Sequence, residues 1–198
     1  MKKPIIGVLA LQGAVREHMN MLERIGARGI AVKHPDELRL CGGLIIPGGE
    51  STTIGMLMAS NGFLEDVRSF VADGAPVFGT CAGLIMLASR LTEGNQPLLG
   101  LMDITARRNA FGRQVDSFET DLELREVEEG SRPFRAVFIR APWIEESGPG
   151  VTVLGEFEGR AVLARENGML VCAFHPELTG DERIHRYFTR MVEEARKG

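Results

Sequence analysis

The sequence predicts an α/β domain: an open, mainly parallel sheet with helices on both faces, three layers in all, and antiparallel strands appended. Three observations carry this expectation. Apolar runs at 5–11 (IIGVLAL), 43–47 (GLIIP) and 76–80 (PVFGT) have the character of strands covered on both faces. Segments with helical spacing and glycine ends separate them. Beyond residue 116 the pattern changes to alternating polar and apolar residues. Alternation of strand and helix at this pitch argues for parallel strands joined by crossover helices.

The run at 5–11 is the first strand. It superficially imitates a signal peptide, but it is short, and Arg16-Glu17-His18 follows where a cleavage region would lie. Residues 14–26 carry Val15, Met19, Leu22 and Ile25 at helical spacing and close at Gly26. After GLIIP, Ser51-Thr52-Thr53 offers N-cap candidates for a helix through Met58. FLEDVRSFVADG (63–74) is an amphipathic helix ended by glycine, and AGLIMLASRL (82–91) a further helix. DSFETDLELREV (116–127), FRAVFIRAP (134–142) and 151–174 alternate as antiparallel strands, with hairpin turns near 158–160 and 166–168. A last helix places Ile184, Phe188, Met191, Val192 and Ala195 on one side.

The 198 residues suffice for one core, and no linker, repeat or low-complexity tract divides them, so one domain over 1–198 is expected. The net charge of −4 gives no electrostatic footprint for nucleic acid or an anionic membrane. Three widely spaced cysteines, Cys41, Cys81 and Cys172, with no CxxC, argue against a disulfide framework or a metal site. They fit a reducing, cytoplasmic compartment, and no apolar run reaches transmembrane length.

One corner stands out. Gly79-Thr80-Cys81-Ala82-Gly83 joins a strand to a helix as G-x-C-x-G, the pattern of a nucleophile elbow. Small neighbours permit the sharp turn, and a helix N-terminus favours thiolate over thiol. On the elbow alone, a buried structural cysteine remains the competing reading.

A thiol nucleophile needs a base and an orienting partner. His18, His34 and His185 lie in helices or a polar loop and are expected at the surface. His175 follows the strand MLVCAF and opens His175-Pro176-Glu177, where extended backbone would put residues i and i+2 on the same side. That combination points to a Cys81–His175–Glu177 triad. The backbone N–H of Ala82 is the first oxyanion donor expected, and Pro47-Gly48-Gly49-Glu50-Ser51 the source of a second. Cys41 and Cys172 are expected to be packing residues.

These residues together resemble the class I triad glutamine amidotransferases, a flavodoxin-like fold. LQGAVREH (11–18), PGGESTT (47–53), GTCAGLI (79–85), RNAFGRQVDSFE (108–119), FIRAP (138–142) and FHPEL (174–178) are similar to the glutaminase subunits of pyridoxal 5′-phosphate synthase. The resemblance implies hydrolysis of L-glutamine to glutamate and ammonia through a glutamyl thioester on Cys81, with no cofactor or metal. It implies a glutamine site at Gly48, Gly49, Glu50, Ser51, Ala82, Arg108, Ile139 and Arg140, with Gly48 and Gly49 at the oxyanion hole. It also implies a hetero-oligomer with a synthase subunit that receives the ammonia, with Gln12 and the first helix facing that partner. Such a glutaminase is expected to be poorly active until the synthase docks. No role is assigned to Trp143.

Three other readings compete: the glutaminase subunit of another amidotransferase, an elbow-cysteine hydrolase of similar fold, and a catalytically silent binding subunit. The GGEST loop and the spacing to Glu177 favour the glutaminase over the second, and the intact triad favours it over the third.

Overall fold

Short apolar runs become strands where both of their faces are covered, and this chain supplies them at its start. The computed structural model describes residues 3–110, 117–127 and 132–197. The chain runs β1 (Ile5–Leu9), α1 (Val15–Arg24), β2 (Arg28–Val32), a 3-10 turn (Pro35–Leu40), β3 (Gly43–Ile46), α2 (Ser51–Ser60) and α3 (Phe63–Ala72). There follow β4 (Val77–Thr80), α4 (Ala82–Leu87), β5 (Ala88–Leu91), β6 (Met102–Arg107), β7 (Ser117–Leu122) and β8 (Phe134–Ile139). β9 (Trp143–Ser147), β10 (Thr152–Phe157), β11 (Arg160–Glu166), β12 (Met169–Cys172), a second 3-10 turn (Pro176–Leu178) and α5 (Arg183–Ala195) complete it.

Among the described residues, one mixed sheet has the order β2-β1-β3-β4-β12-β11-β9-β6-β5, with β10 also paired to β11. From β2 to β12 every neighbour is parallel. From β12 through β11 and β9 to β6 the pairing is antiparallel. β7 and β8 form a separate antiparallel ribbon. The expected parallel sheet with antiparallel strands appended is therefore what the chain forms.

Helices cover both faces, and neighbouring residues of β4 show how. Phe78 points to one face, edge-on to His18 of α1 and His185 of α5 and beside Phe188. Gly79 points to the other face, where α4 lies against its backbone. Successive strand residues alternate in this way by geometry. No helix among the described residues is long and apolar enough to cross a membrane.

Four sequence expectations change. The helix at 82–91 is only six residues long. At Ala88 the chain turns extended and becomes β5, a parallel partner of β6. Sheet pairing there overrides local helix preference. The cap of α2 is Glu50, whose carboxylate accepts from the N–H groups of Thr52 and Thr53, not Ser51 or Thr52. On α1 the buried residues are His18, Met21 and Leu22, and Val15, Met19 and Ile25 are only partly covered. His18 and His185, expected at the surface, are fully buried. β2, β6 and β9 are additional strands that the apolar pattern did not reveal.

Candidate active site

Strand order alone assembles this site. β1, β3, β4 and β12 lie side by side and parallel, so the segments leaving their C-terminal ends share one edge. Those segments carry Gln12, Gly48-Gly49, Cys81 and His175 in that spatial order. Ligands of open α/β sheets bind at this edge.

At the corner after β4, Cys81 has φ 49° and ψ −99°. A non-glycine residue there is strained by roughly 1–3 kcal/mol, a strain that surrounding structure must hold. The flanking glycines act differently from what the turn alone suggests: neither has a positive φ. They are needed for close approach. A Cβ on Gly79 would fall 2.4 Å from Gly83 O, and one on Gly83 would fall 2.2 Å from Ile46 O. Backbone packs on backbone at both positions, and the strain is concentrated on Cys81. Its N–H bonds to Cys172 O at 2.8 Å, which extends the β4–β12 ladder to the nucleophile position.

His175 follows β12 and is fixed by its own N–H on Val137 O, 2.8 Å. Its Nδ1–H donates to Glu177 Oε1 at 2.7 Å. The two meet through the 3-10 turn opened by Pro176, not through the extended i, i+2 geometry expected from sequence. With Nδ1 engaged, Nε2 is the nitrogen left for Cys81. Burial works against charge on His175, but hydrogen bonding to Cys81 and Glu177, and the electrostatic attraction of both, holds its pKa up to about 10. Burial likewise opposes charge on Glu177, yet the imidazoles of His18 and His175 keep its carboxyl below the ordinary range.

The 48–51 loop is gripped from both sides. Gly48 O accepts from Ala14 N–H (3.0 Å), and Glu50 N–H donates to Gln12 Oε1 (2.9 Å). Gly48 N–H donates to Thr80 Oγ1 at 2.9 Å. Gly48 N–H, expected from the sequence at an oxyanion hole, is thus already engaged, whereas no hydrogen bond of the Gly49 N–H is found among the described residues. A Cβ on Gly48 would fall 2.4 Å from His175 Cε1, and one on Gly49 would fall 2.3 Å from Gln12 Oε1. Thr53 Oγ1 donates to the Glu50 carboxylate, which this bond and the α2 cap hold at about 2.

A cleft of about 370 Å³ opens here, within the range of small-molecule sites. Every residue predicted for the site lines it except Glu177, which lies behind His175. Ile139 turns its carbonyl to Cys81 Sγ, 3.9 Å away. Arg140 is exposed and has a positive φ of 42°. Arg108 lies 3.7 Å from the Glu50 carboxylate and donates to Gln96 Oε1 at 3.3 Å. The stretch 111–116 of RNAFGRQVDSFE (108–119) lies outside the described residues.

Gln96 went unnoticed in the sequence. It accepts from Ser51 Oγ (3.2 Å) and Thr52 Oγ1 (3.3 Å), and donates to Ser51 O (3.1 Å). It thereby ties Arg108 to the start of α2, although it belongs to an irregular segment with no periodic signal. Trp143 donates to Glu145 Oε2 at 2.6 Å and stacks under Arg160, away from the nucleophile. Cys172 is buried and Cys41 half-buried, and all three thiols are free.

Known proteins share the sequence and the fold. The profile of the SNO glutamine amidotransferase family matches residues 8–194. A protein of Niallia circulans called pyridoxal 5′-phosphate synthase subunit PdxT is 54% identical over 191 residues, 96% of this chain and 99% of that protein. A protein of the same name from Carboxydothermus hydrogenoformans is 55% identical over 187 residues, 94% of this chain and 97% of that protein. A crystal structure described as a glutamine amidotransferase has a TM-score of 0.89 at 47% identity, covering 95% of this chain and 98% of that one. The structure of PurLQS from Thermotoga maritima, 16% identical with a TM-score of 0.70, shares the fold, covering 98% of this chain and 97% of that one.

Proposed function

The chain belongs to the SNO glutamine amidotransferase family, and from that premise we propose that it is the glutaminase subunit of a pyridoxal 5′-phosphate synthase. The relatives that match it over nearly their full length carry the name of that synthase's PdxT subunit. The observation that carries the chemistry is the pairing of His175 Nδ1 with Glu177 at 2.7 Å, which leaves Nε2 for a strained Cys81.

Cys81 sulfur attacks the side-chain amide carbon of L-glutamine. The carbonyl oxygen becomes an oxyanion held by the N–H of Ala82 and a donor of the Gly48–Gly49 loop. His175 passes the thiol proton to the amide nitrogen, the C–N bond breaks, and ammonia leaves. The acyl group remains as a thioester. A water gives its proton to His175 and attacks the thioester carbon. Glutamate leaves, and the thiol regains its proton.

Arg108 and Arg140 supply guanidinium groups at the rim for the α-carboxylate of the amino acid. Ser51 and Ile139 line the cleft, and Glu50 caps α2 beside Arg108. Ammonia passes to the synthase subunit of a hetero-oligomer. A synthase docked against the start of α1 would touch Gln12 and, through it, the loop at Glu50. One domain carries these steps without metal or cofactor, and its three free thiols suit the cytoplasm.

Purified protein with its synthase subunit should release glutamate from glutamine, and Cys81→Ala should abolish the release. Unchanged turnover in that variant would overturn the triad.

A further inference from the structure

Glu177 is a carboxylate with no exposed side-chain surface, and only one of its oxygens has an assigned role. Oε1 accepts from His175. Oε2 is buried, and among the described residues no hydrogen bond of standard geometry reaches it. The polar atom that faces it is Nε2 of His18, at 3.5 Å. His18 stands on α1, fully buried, and the chemistry of the triad as derived above does not use it.

The surroundings of His18 fix its proton. Nε2 lies 3.2 Å from Thr80 Oγ1 and 3.5 Å from Glu177 Oε2, while Nδ1 lies 2.9 Å from Nε2 of His185. The other nitrogen of His185, Nδ1, is buried and has no hydrogen-bond partner among the described residues. Were the proton of His18 on Nδ1, its Nε2 lone pair would face the Glu177 carboxylate. His185 would then have to accept at Nε2 and bury an unpaired N–H at Nδ1. With the proton on Nε2, one N–H serves Thr80 and Glu177 together. Nδ1 then accepts from His185 Nε2–H, and the orphan on His185 is a lone pair, the lesser cost in a buried site.

We propose that His18 is a positioning residue of this site: a neutral imidazole whose Nε2–H holds the second oxygen of Glu177, with His185 behind it fixing the tautomer. The inference rests on the reading of Cys81, His175 and Glu177 as a glutaminase triad. Burial lowers the pKa of both His18 and His185, so what His18 presents to Glu177 is an N–H dipole, while the neighbouring charge comes from His175, held up to about 10. The charged and titratable groups facing Glu177 are His175 from its own turn, His18 from α1 and Cys172 at the end of β12. Those facing His18 are Glu177, His175, His185 and, on its own helix, Glu17. Among these, His18 is the donor aimed at Oε2.

Thr80 gives the same imidazole a second consequence. Its Oγ1 accepts from Gly48 N–H at 2.9 Å, so His18 stands one hydroxyl away from the loop beside the nucleophile. A single buried ring thus touches the acid of the triad and, through Thr80, the loop that lies over His175.

The test compares His18→Leu and His18→Gln in the complex with the synthase subunit. The amide N–H of glutamine reaches about the position of the lost Nε2–H, and leucine has no donor. His18→Leu should lower kcat by about 10-fold to 100-fold, as loss of an outer partner to an active-site ligand commonly does, with KM for glutamine unchanged. Without the donor the Glu177 carboxylate is harder to ionise, so the acid limb of the kcat/KM profile should move to higher pH. His18→Gln should restore the profile and most of kcat. Equal losses in both variants that track melting temperature, with an unmoved profile, would show core packing only and overturn the proposal.

Two measurements stand apart from turnover. Nitrogen-15 NMR of the wild-type protein should find His18 and His185 protonated at Nε2, and an Nδ1-protonated His18 would overturn the assignment. Alkylation of Cys81 by iodoacetamide against pH should shift in His18→Leu and not in His18→Gln; an unshifted His18→Leu would count against it. A wild-type complex that released no glutamate would sink the glutaminase reading instead, and the NMR and alkylation results would still decide for or against His18.

Discussion

Replacing Gly48 by alanine should disable catalysis in a protein that still folds. The new Cβ would stand 2.4 Å from His175 Cε1, 3.0 Å from its Nδ1 and 3.4 Å from Cys81 Cβ. Carbon atoms pack at about 3.5–4.0 Å, so the imidazole or the loop must retreat by about 1 Å. His175 is pinned by Glu177 and Val137, and the loop by Ala14 and Thr80, so neither moves without breaking a hydrogen bond. A misplacement of that size costs on the order of 100-fold in rate, or about 2.7 kcal/mol of transition-state stabilisation. Stability should fall by about 1–2 kcal/mol, the cost of overpacking a buried site, less what alanine recovers by restricting the unfolded chain. Gly48 has no positive φ, so alanine is tolerated by the backbone and restricts the unfolded chain. Gly83→Ala is the counterpart: its Cβ would meet the Ile46 carbonyl at 2.2 Å, inside the sheet, where nothing flexible can yield. Its melting temperature should fall by about 5–10 °C, as overpacking in a domain of this size implies. The assays are glutamate release in the synthase complex and thermal melting by circular dichroism. A folded Gly48→Ala protein within threefold of wild-type kcat/KM would refute the argument.

Three further outcomes are expected. Glu50→Ala removes the cap of α2 and should lower stability by about 1 kcal/mol in denaturant titrations; because the Glu50 carboxyl is held at about 2, its contribution is present above the ordinary carboxylate range and is lost only as pH falls through that value. His175 is held up to about 10, so the stability it contributes is complete below the usual imidazole range and is lost as pH rises through about 10; urea melts should show that decline, and ring-proton NMR should find a lower His175 pKa in Cys81→Ala, which lacks the thiol partner. Iodoacetamide near neutral pH should modify Cys81 before the other thiols, since burial pushes Cys41 up to about 11 and Cys172 well above its ordinary value; peptide mass spectrometry that found Cys41 labelled first would contradict this.

What the sequence disclosed and withheld follows from the range of each interaction. The elbow, HPE and PGGE were legible because their chemistry is local: glycines beside a thiol, a proline after a histidine, paired glycines after a strand. Even there the physical reasons shifted. Gly79 and Gly83 answer a neighbouring carbonyl, and the positive φ belongs to Cys81 itself. The helix read at 82–91 failed at Ala88 because a partner strand, β6, claims the backbone. Burial of His18 could not be read from α1, since its partners Thr80, Glu177 and His185 are scattered over three other elements. Gln96 carries no periodicity, and only folding brings it between Ser51 and Arg108.

The loop beside the nucleophile shows why two consecutive glycines are needed and not one. A side chain on Gly48 would collide with His175, and one on Gly49 with Gln12, so each position is barred on a different side. The peptide that joins them is held by its carbonyl, which accepts from Ala14 N–H at 3.0 Å. In a trans peptide the N–H points opposite to the carbonyl, so the bond to Ala14 sets the direction of the Gly49 N–H. That N–H makes no hydrogen bond among the described residues, whereas Gly48 N–H is held by Thr80. The bond from Ala14, at the start of α1, therefore sets the direction of the Gly49 N–H, and the bond from Glu50 N–H to Gln12 holds the same loop one residue further on. Glycine makes rotation of that peptide sterically inexpensive. A partner bound at α1 would change catalysis by that route without touching Cys81, His175 or Glu177.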